Sequence, residues 1–408
     1  MEDTDVVIVG AVRTPFGRYG GALRLTPSID LGADAIRELL RRTGLAGGQI
    51  DEVFYGTCEP LETGVEIDVP ARQAILKAGL PPETVSMTLD TACCSSMDAV
   101  LLGSRAIKGG FAGVVIAAGA ENMGRQPYFL PPEFRFGEHK GDIKLIDGAF
   151  RGGKYPVPGV NAVSVDAGNE ALEHGVTREE QDRWALGSHQ KYSEALAASR
   201  FLEEMMALEL PQEKGPPVVL NRDEQHRPDT TLEKLARLPT VMGSPTVTGG
   251  NAPGINAGAS AIALTSRRRA RELGLQPLGA LVANVRMAQQ PNRIASAPAA
   301  AIRKALAEGG LTLEQMDLIE INEAFAAMPL VSTKILAEGD EARWRALLST
   351  TNVNGGAVAI GHPVGATGAR IIMTLMYELR RRGGGMGVAA ICGGLGQGSA
   401  AIVRAEIC

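Results

Sequence analysis

Basic charge is in short supply in this chain. Its 41 Lys and Arg residues stand against 46 Asp and Glu, a net of −5 at pH 7 with an isoelectric point near 5.7. Nucleic-acid binding calls for a basic surplus on one face, and none is visible. The clusters Arg267–Arg269 and Arg380–Arg382 read as solvated helix ends beside Gly-rich turns. Histidine and cysteine are equally scarce, at five each. The cysteines, at 58, 93, 94, 392 and 408, form no C-x-x-C pair, so neither a zinc site nor a disulfide framework is expected. Nowhere do eighteen apolar residues run unbroken, which argues against a membrane span. The start, "MEDTDVVIVGAV", puts acid before an apolar run, the wrong order for a signal or transit peptide. The end, "AEIC", is neither a peroxisomal nor an ER address, so a cytoplasmic protein is the expectation.

What is present is an ordinary globular composition, 45% hydrophobic and 21% charged, with mean hydropathy near zero. A chain of 408 residues is too long for one core, so two or three domains or subdomains are expected. A repeat organises them. "ADAIRELLRRTGLAGGQID", Ala33 to Asp51, aligns without a gap on "AAAIRKALAEGGLTLEQMD", Ala299 to Asp317, identical at nine of nineteen positions. Each copy has helical apolar spacing, a Gly-Leu stop and a short strand, "EVFYG" or "LIEIN". Farther along, "GVVIAAGAE" from Gly113 corresponds to "GVAAICGG" from Gly387. Two related α/β halves follow, with mixed or parallel sheets covered on both faces. From about Glu121 to Gly249 the texture changes: Pro131-Pro132, "RGGKYPVPG", Pro216-Pro217, and a helix opened by a Thr177/Glu180 capping box. This reads as a folded insertion.

Four stretches could carry chemistry. In "TLDTACCSSMDAV" Cys93 follows a β-like run and precedes a helix. Its thiol is expected near the helix N-terminus, where unpaired N–H groups favour a thiolate nucleophile. Buried packing is the rival reading for any cysteine. In "NVNGGAVAIGHPVGATGARI" His362 lies on a constrained turn ahead of a helix, a way of presenting a base to a thiol. In "AAICGGLGQGSA" Cys392 ends a strand and enters a turn whose N–H groups could hold an anion. In "EINEAFAAMP" Asn322 and Glu323 end the repeat's strand; the plain alternative is a helix cap.

Together these stretches resemble the thiolase family of acyl-CoA acyltransferases. "IVGAVRTPFGRYGGAL", "ARQAILKAGLP", "AAGAENM", "NEAFA", "GHPVGATG" and "CGGLGQG" match in order over nearly the whole chain. The resemblance implies a five-layered α-β-α-β-α fold. Residues 1–120 with 250–275 would form the N-terminal half, 121–249 an inserted loop domain and 276–408 the C-terminal half. It implies thiolytic cleavage of a 3-ketoacyl-CoA, or the reverse Claisen condensation, with Cys93 as acyl-accepting nucleophile, His362 as its base and Cys392 as the acid/base toward carbon. Asn322 would hold a water in one oxyanion hole, and the backbone N–H groups of Cys93 and Gly394 would form the other. Coenzyme A would be a co-substrate, with no permanently bound cofactor and no metal. Arg227, in "NRDEQHRPDTTLEKLARLP", would lie against its adenine. A homodimer or homotetramer is implied, without nucleic-acid or membrane partners. The rivals are a silent CoA-binding scaffold subunit and a decarboxylating ketosynthase-like enzyme; the pair Cys93 and Cys392 favours the thiolase form.

Departures from the family pattern gather around the substrate. Pro253 stands where a Ser is usual, Ala162 and Val163 replace a Met-containing pair, and "IASAP", Ile294 to Pro298, replaces Met-Gly-x-Gly-Pro. A substrate bulkier than acetoacetyl-CoA, or branched, is the expectation. Asp90 replaces Asn three residues before Cys93, where an unpaired carboxylate would oppose thiolate formation. Leu395 replaces a frequent Gly and leans toward the degradative branch.

Overall fold

The computed structural model describes residues 3–58, 68–137, 140–149, 155–212 and 214–407. Cys408 and the Arg151–Lys154 part of the Pro-Gly insertion lie outside the described residues. In the first half the main elements are β1 (Val6–Arg13), α1 (Ser28–Thr43), β2 (Glu52–Gly56), α2 (Pro70–Ala78), β3 (Val85–Leu89), α3 (Ser95–Lys108) and β4 (Val114–Asn122). The insertion carries α4 (Val163–Glu173) and α5 (Arg178–Ala197). Then come β5 (Asn256–Ser266), β6 (Gly279–Ala288), α6 (Ala297–Gly309), β7 (Leu318–Ile321), α7 (Ala327–Leu336), α8 (Glu341–Thr350), α9 (Thr367–Arg381), β8 (Gly385–Cys392) and β9 (Gln397–Ala405).

The repeat holds at the level of individual hydrogen bonds. Helix α1 stops at Gly44 (φ 73°) and α6 at Gly310 (φ 64°), a left-handed conformation that glycine adopts without a Cβ penalty. Gln49 then closes a short turn by accepting from the Ala46 N–H at 2.7 Å, and Gln315 does the same for Thr312 at 2.8 Å. Asp51 accepts from the Val114 N–H at 2.9 Å and Asp317 from the Met386 N–H at 2.8 Å, each pinning its strand to the neighbouring one. Residues repeated in the sequence therefore repeat their jobs.

The strands run β7-β8-β9-β6-β1-β5-β4-β2-β3, the halves meeting where Val7 and Ile8 of β1 pair with Ala280 and Gly279 of β6. β2 pairs in parallel with β3 and β4, and β7 with β8; β5, β1, β6 and β9 add antiparallel ladders. The apolar core is threefold. One part lies under α1 and α2 (Ile36, Leu39, Ile75), one between α3 and α9 (Met97, Val100, Ile372, Met376), and one under α6 and α7 (Ile302, Leu306, Leu330). Helices outside, strands, helices in the middle, strands and helices again make five layers. The two middle helices touch backbone to backbone, since a methyl group on Gly368 of α9 would stand 2.4 Å from the Met97 nitrogen of α3. Both helices therefore begin side by side.

Strand β4 runs on to Asn122 and β5 opens at Asn256, so the chain between them leaves the sheet and packs back on it. The capping box of α5 is formed, Thr177 accepting from the Glu180 N–H at 3.2 Å and Glu180 from the Thr177 N–H at 2.7 Å. The insertion is anchored by buried charge. Arg13 of β1 meets Glu204 and Asp223 at 2.7 Å each, and Asp223 also accepts from the Phe16 N–H at 2.7 Å. A buried pair of this kind fixes position because losing either partner strands a charge. Among the described residues no helix is long and apolar enough to cross a membrane.

Candidate active site

Strand β3 ends at Leu89, and the chain then turns sharply before α3. The turn depends on Ala92, held at φ 51°, an uncommon conformation for a residue with a Cβ. Three groups restrain it. The Asp90 carboxylate accepts from the Ala92 N–H at 2.9 Å, while the Ser95 hydroxyl (2.7 Å) and the Cys58 thiol (2.9 Å) donate to the Ala92 carbonyl. Asp90 is thus engaged with the backbone rather than left free. Asp98, buried, accepts from the hydroxyls of Thr91 at 2.9 Å and Ser399 at 2.6 Å and ties the turn to β9.

Cys93 leaves this turn facing His362. Its Sγ lies 3.1 Å from Nε2. The ring's other nitrogen, Nδ1, is 2.7 Å from the Thr367 hydroxyl, which itself donates to the Pro363 carbonyl at 2.8 Å. With its proton committed there, that hydroxyl can only accept, so Nδ1 carries the imidazole proton and Nε2 presents its lone pair to the thiol. The backbone beneath the ring is held as well: the His362 N–H donates to Asn256 Oδ1 at 2.9 Å.

The charge state differs from the sequence expectation. Burial pushes the Cys93 thiol well above its ordinary pKa, the neighbouring Cys392 pushes it further, and a backbone hydrogen bond opposes them without restoring it. Burial, helped by Arg370, brings His362 down to about 3. The resting pair is a neutral thiol facing a neutral imidazole. Burial likewise raises Cys392 to about 12. No thiolate waits in the resting site.

Asn322 and Glu323 sit in the turn after β7, ahead of α7, and neither caps that helix. Asn322 Nδ2 is 3.5 Å from His362 Nε2, and its buried Oδ1 accepts from no described residue. Glu323, wholly buried, accepts from Trp184 (2.8 Å), Ser188 (2.9 Å), Asn352 (3.0 Å) and the Val358 N–H (3.0 Å). It clamps helix α5 to the loop that carries His362. Glu121 does similar work at the end of β4, accepting from Thr57 at 3.0 Å and from the Cys58 and Gly365 N–H groups at 2.9 Å each.

Cys392 ends β8, and the turn that follows packs on the nucleophile turn. A methyl group on Gly393 would stand 3.0 Å from the Thr91 carbonyl, and one on Gly394 would stand 3.5 Å from the Ala92 Cβ. Leu395 adopts φ 60° and ψ 43°, the left-handed region that explains why glycine would be favoured there. Cys93, His362, Cys392, Asn322 and Gly394 therefore converge. Arg227 is apart from them: exposed, it donates to the Gly249 carbonyl at 3.2 Å. Cys94 faces away, its thiol donating to the Ile391 carbonyl at 3.6 Å. Sequence reasoning missed Cys58, Thr367, Asp98 and Glu121, and singled out Glu323 without its clamping role; only the scarcity of cysteine could have singled out the first.

Two family models match this chain: "Thiolase, N-terminal domain" over residues 6–268 and "Thiolase, C-terminal domain" over residues 275–405. An acetyl-CoA acetyltransferase of Pseudomonas aeruginosa is 43% identical, covering 97% of this chain and 98% of that protein. A beta-ketoadipyl-CoA thiolase of Acinetobacter baylyi is 39% identical, with 97% and 98% covered. Human mitochondrial 3-ketoacyl-CoA thiolase superposes with a TM-score of 0.92 at 36% identity, over 98% of this chain and 99% of that one. Its complex with CoA gives 0.91 at 36% identity, over 98% of each chain.

Proposed function

The chain belongs to the thiolase family and is an acyltransferase of the thiolytic or condensing type, and we propose that Cys93, His362, Cys392, Asn322 and Gly394 are its working residues. The observation that carries this reading is the 3.1 Å contact of Cys93 Sγ with a His362 Nε2 whose other nitrogen is held by Thr367. In cleavage, Cys93 attacks the keto carbon of a 3-ketoacyl-CoA as His362 takes the thiol proton. The tetrahedral oxyanion is met by the backbone N–H groups of Cys93 and Gly394. The C2–C3 bond then breaks, its electron pair going to C2, and the Cys392 thiol protonates that carbon to release acetyl-CoA. The enolate oxygen is stabilised by a water held on Asn322, whose free Oδ1 suits this task. CoA enters, its thiol proton passes to the Cys392 thiolate, and its sulfur takes the acyl group. Cys93 leaves as a thiolate and recovers its proton from His362. The raised ionisation point of Cys392 keeps its thiol protonated until the enolate carbon forms and makes the thiolate left behind a strong base for the CoA thiol.

The remaining assignments belong to the same proposal. Arg227 and Pro253 lie on neighbouring segments, joined through Gly249, that would receive CoA. The acyl pocket would be bounded by Ala162, Val163 and Ile294. Glu170 of α4 accepts from the Ala295 N–H at 2.6 Å and so holds the "IASAP" stretch against the helix that begins at Val163. The substrate is a 3-ketoacyl-CoA bulkier than acetoacetyl-CoA or branched, and fatty-acid metabolism in the cytoplasm is its setting. We assign the domains as residues 1–120 with 250–275, 121–249 and 276–408. A homodimer forms through β3, an edge strand whose Val85 and Met87 are 59% and 48% exposed. Exposed Tyr128, Leu130 and Leu145 on the insertion favour a tetramer. The test is CoA-dependent cleavage of a panel of 3-ketoacyl-CoAs. Turnover lost in C93A, with the wild type preferring a longer or branched member, supports the reading; turnover surviving in C93A overturns it.

A further inference from the structure

Tyr155 lies in the insertion ahead of Pro156 and Pro158, and its side chain reaches the turn after β8. Its phenol packs against Gly394: a methyl group there would stand 2.3 Å from the hydroxyl oxygen and 3.0 Å from the ring carbon that bears it. Gly394 adjoins Ala92, the residue before Cys93. The phenol oxygen therefore lies where the nucleophile turn and the Cys392 turn meet. After burial, which comes first and lifts its ionisation to about 12, the charges it senses are Cys93, Cys58, Asp90 and Cys392. It is a hydrogen-bond donor at every working pH.

Among the described residues that donor has no recipient. The Tyr155 hydroxyl makes no hydrogen bond to any described residue, and the residue is half-buried. A phenylalanine would pack as well against Gly394 but would place no donor beside the Cys392 turn. The oxygen that comes to this place during turnover is that of the transferred acyl group, two bonds from Cys93 Sγ once the acyl-enzyme forms.

We propose that Tyr155 is a further catalytic residue, its hydroxyl donating a hydrogen bond to the oxygen of the acyl group carried on Cys93, beside Gly394. This rests on the assignment of Cys93 as the acyl acceptor. The proton stays on the phenol, and the bond strengthens as negative charge develops on the acyl oxygen in the two tetrahedral intermediates.

The experiment compares wild type, Tyr155→Phe and Tyr155→Leu on unsubstituted 3-ketoacyl-CoAs and on members bearing a hydroxyl farther along the acyl chain. Intact-mass detection of the acyl group on Cys93 accompanies the kinetics. Tyr155→Phe keeps the ring and is expected to lower kcat roughly 10- to 100-fold on both substrate classes, leaving KM for CoA and the pH profile unchanged. Tyr155→Leu should lose no more than about threefold beyond that, because the hydroxyl is the group that matters. Turnover by Tyr155→Phe within about twofold of wild type overturns the proposal, as does a loss confined to hydroxyl-bearing chains or an effect on KM alone. If wild type carries the acyl group on Cys93 and Tyr155→Phe turns over normally, the tyrosine inference alone falls. If no acyl group forms on Cys93 in the wild type, the assignment of the nucleophile falls with it.

Discussion

In the first half, β2 is followed by the edge strand β3, a strained turn and Cys93 at the start of α3. In the second half, β7 is followed by a lone bridge at Thr351, a glycine-rich turn and His362 just before α9. The halves thus offer two equivalent slots at the heads of two touching helices. One is filled by a nucleophile and the other by its base, and duplication alone brings them face to face. The outer edges differ as well. Val85 and Met87 of β3 are exposed, whereas Thr351 and all of β7 are buried beneath the insertion and α8. Of the sheet's two end strands, β3 is exposed and β7 is covered.

Emptying either slot should have the largest effect. Cys93→Ala and His362→Asn are each expected to lower kcat by at least about 10³-fold while the protein stays folded, as read by steady-state turnover and circular dichroism. Comparable residual activities would mark the two slots as one catalytic unit. Thr367→Val removes only the group that orients the imidazole and should cost roughly 10- to 100-fold in kcat with little change in KM. Glu323→Gln weakens the clamp that sets the second slot but not the first; an unfolding-stability loss of about 2–4 kcal/mol is expected from denaturant titration. Charge on the open edge, in Val85→Glu with Met87→Glu, should halve the mass in light scattering without unfolding the chain. Asp90→Asn is the gentlest change. Asp90 contributes least among the groups that raise the Cys93 thiol, so alkylation of Cys93 should shift to slightly lower pH and turnover by less than about threefold.

The two slots also differ in what pH does to them. His362 is buried neutral, down to about 3 against an unfolded value near 6.5, so the unfolded chain binds more protons between those values. Its share of stability is complete above about pH 6.5 and is lost as pH falls toward 3. A chain with His362→Asn should show a shallower acid loss, although His189, down to about 4 through burial, keeps its own share. Cys93 titrates well above the neutral range and adds no such slope there.

Much of this was legible in the chain. The repeated Gly, Gln and Asp residues mark the halves because each makes a short-range contact that its own segment specifies. Cys93, His362 and Cys392 stand out because each sits at a strand-to-helix or strand-to-turn junction rich in glycine. The supports were not legible. Glu323 meets Ser188 from 135 residues away and Glu121 meets Gly365 from 244, so their burial depends on long-range packing that no local pattern reports. The thiolate expectation failed for a related reason. A helix N-terminus can be read from sequence, but the burial that raises the thiol belongs to the assembled layers.

The central claim is that a neutral His362 takes the proton of a neutral Cys93. It is tested most directly by the rate of Cys93 acylation between about pH 5 and pH 8, followed by rapid quench and intact mass in wild type and His362→Asn. The expected result is an acyl group on Cys93, formed at a rate flat across that range and slower by at least about 10³-fold in the variant. A rate that rises through an inflection near pH 6.5, or an acyl group on another cysteine, would contradict it.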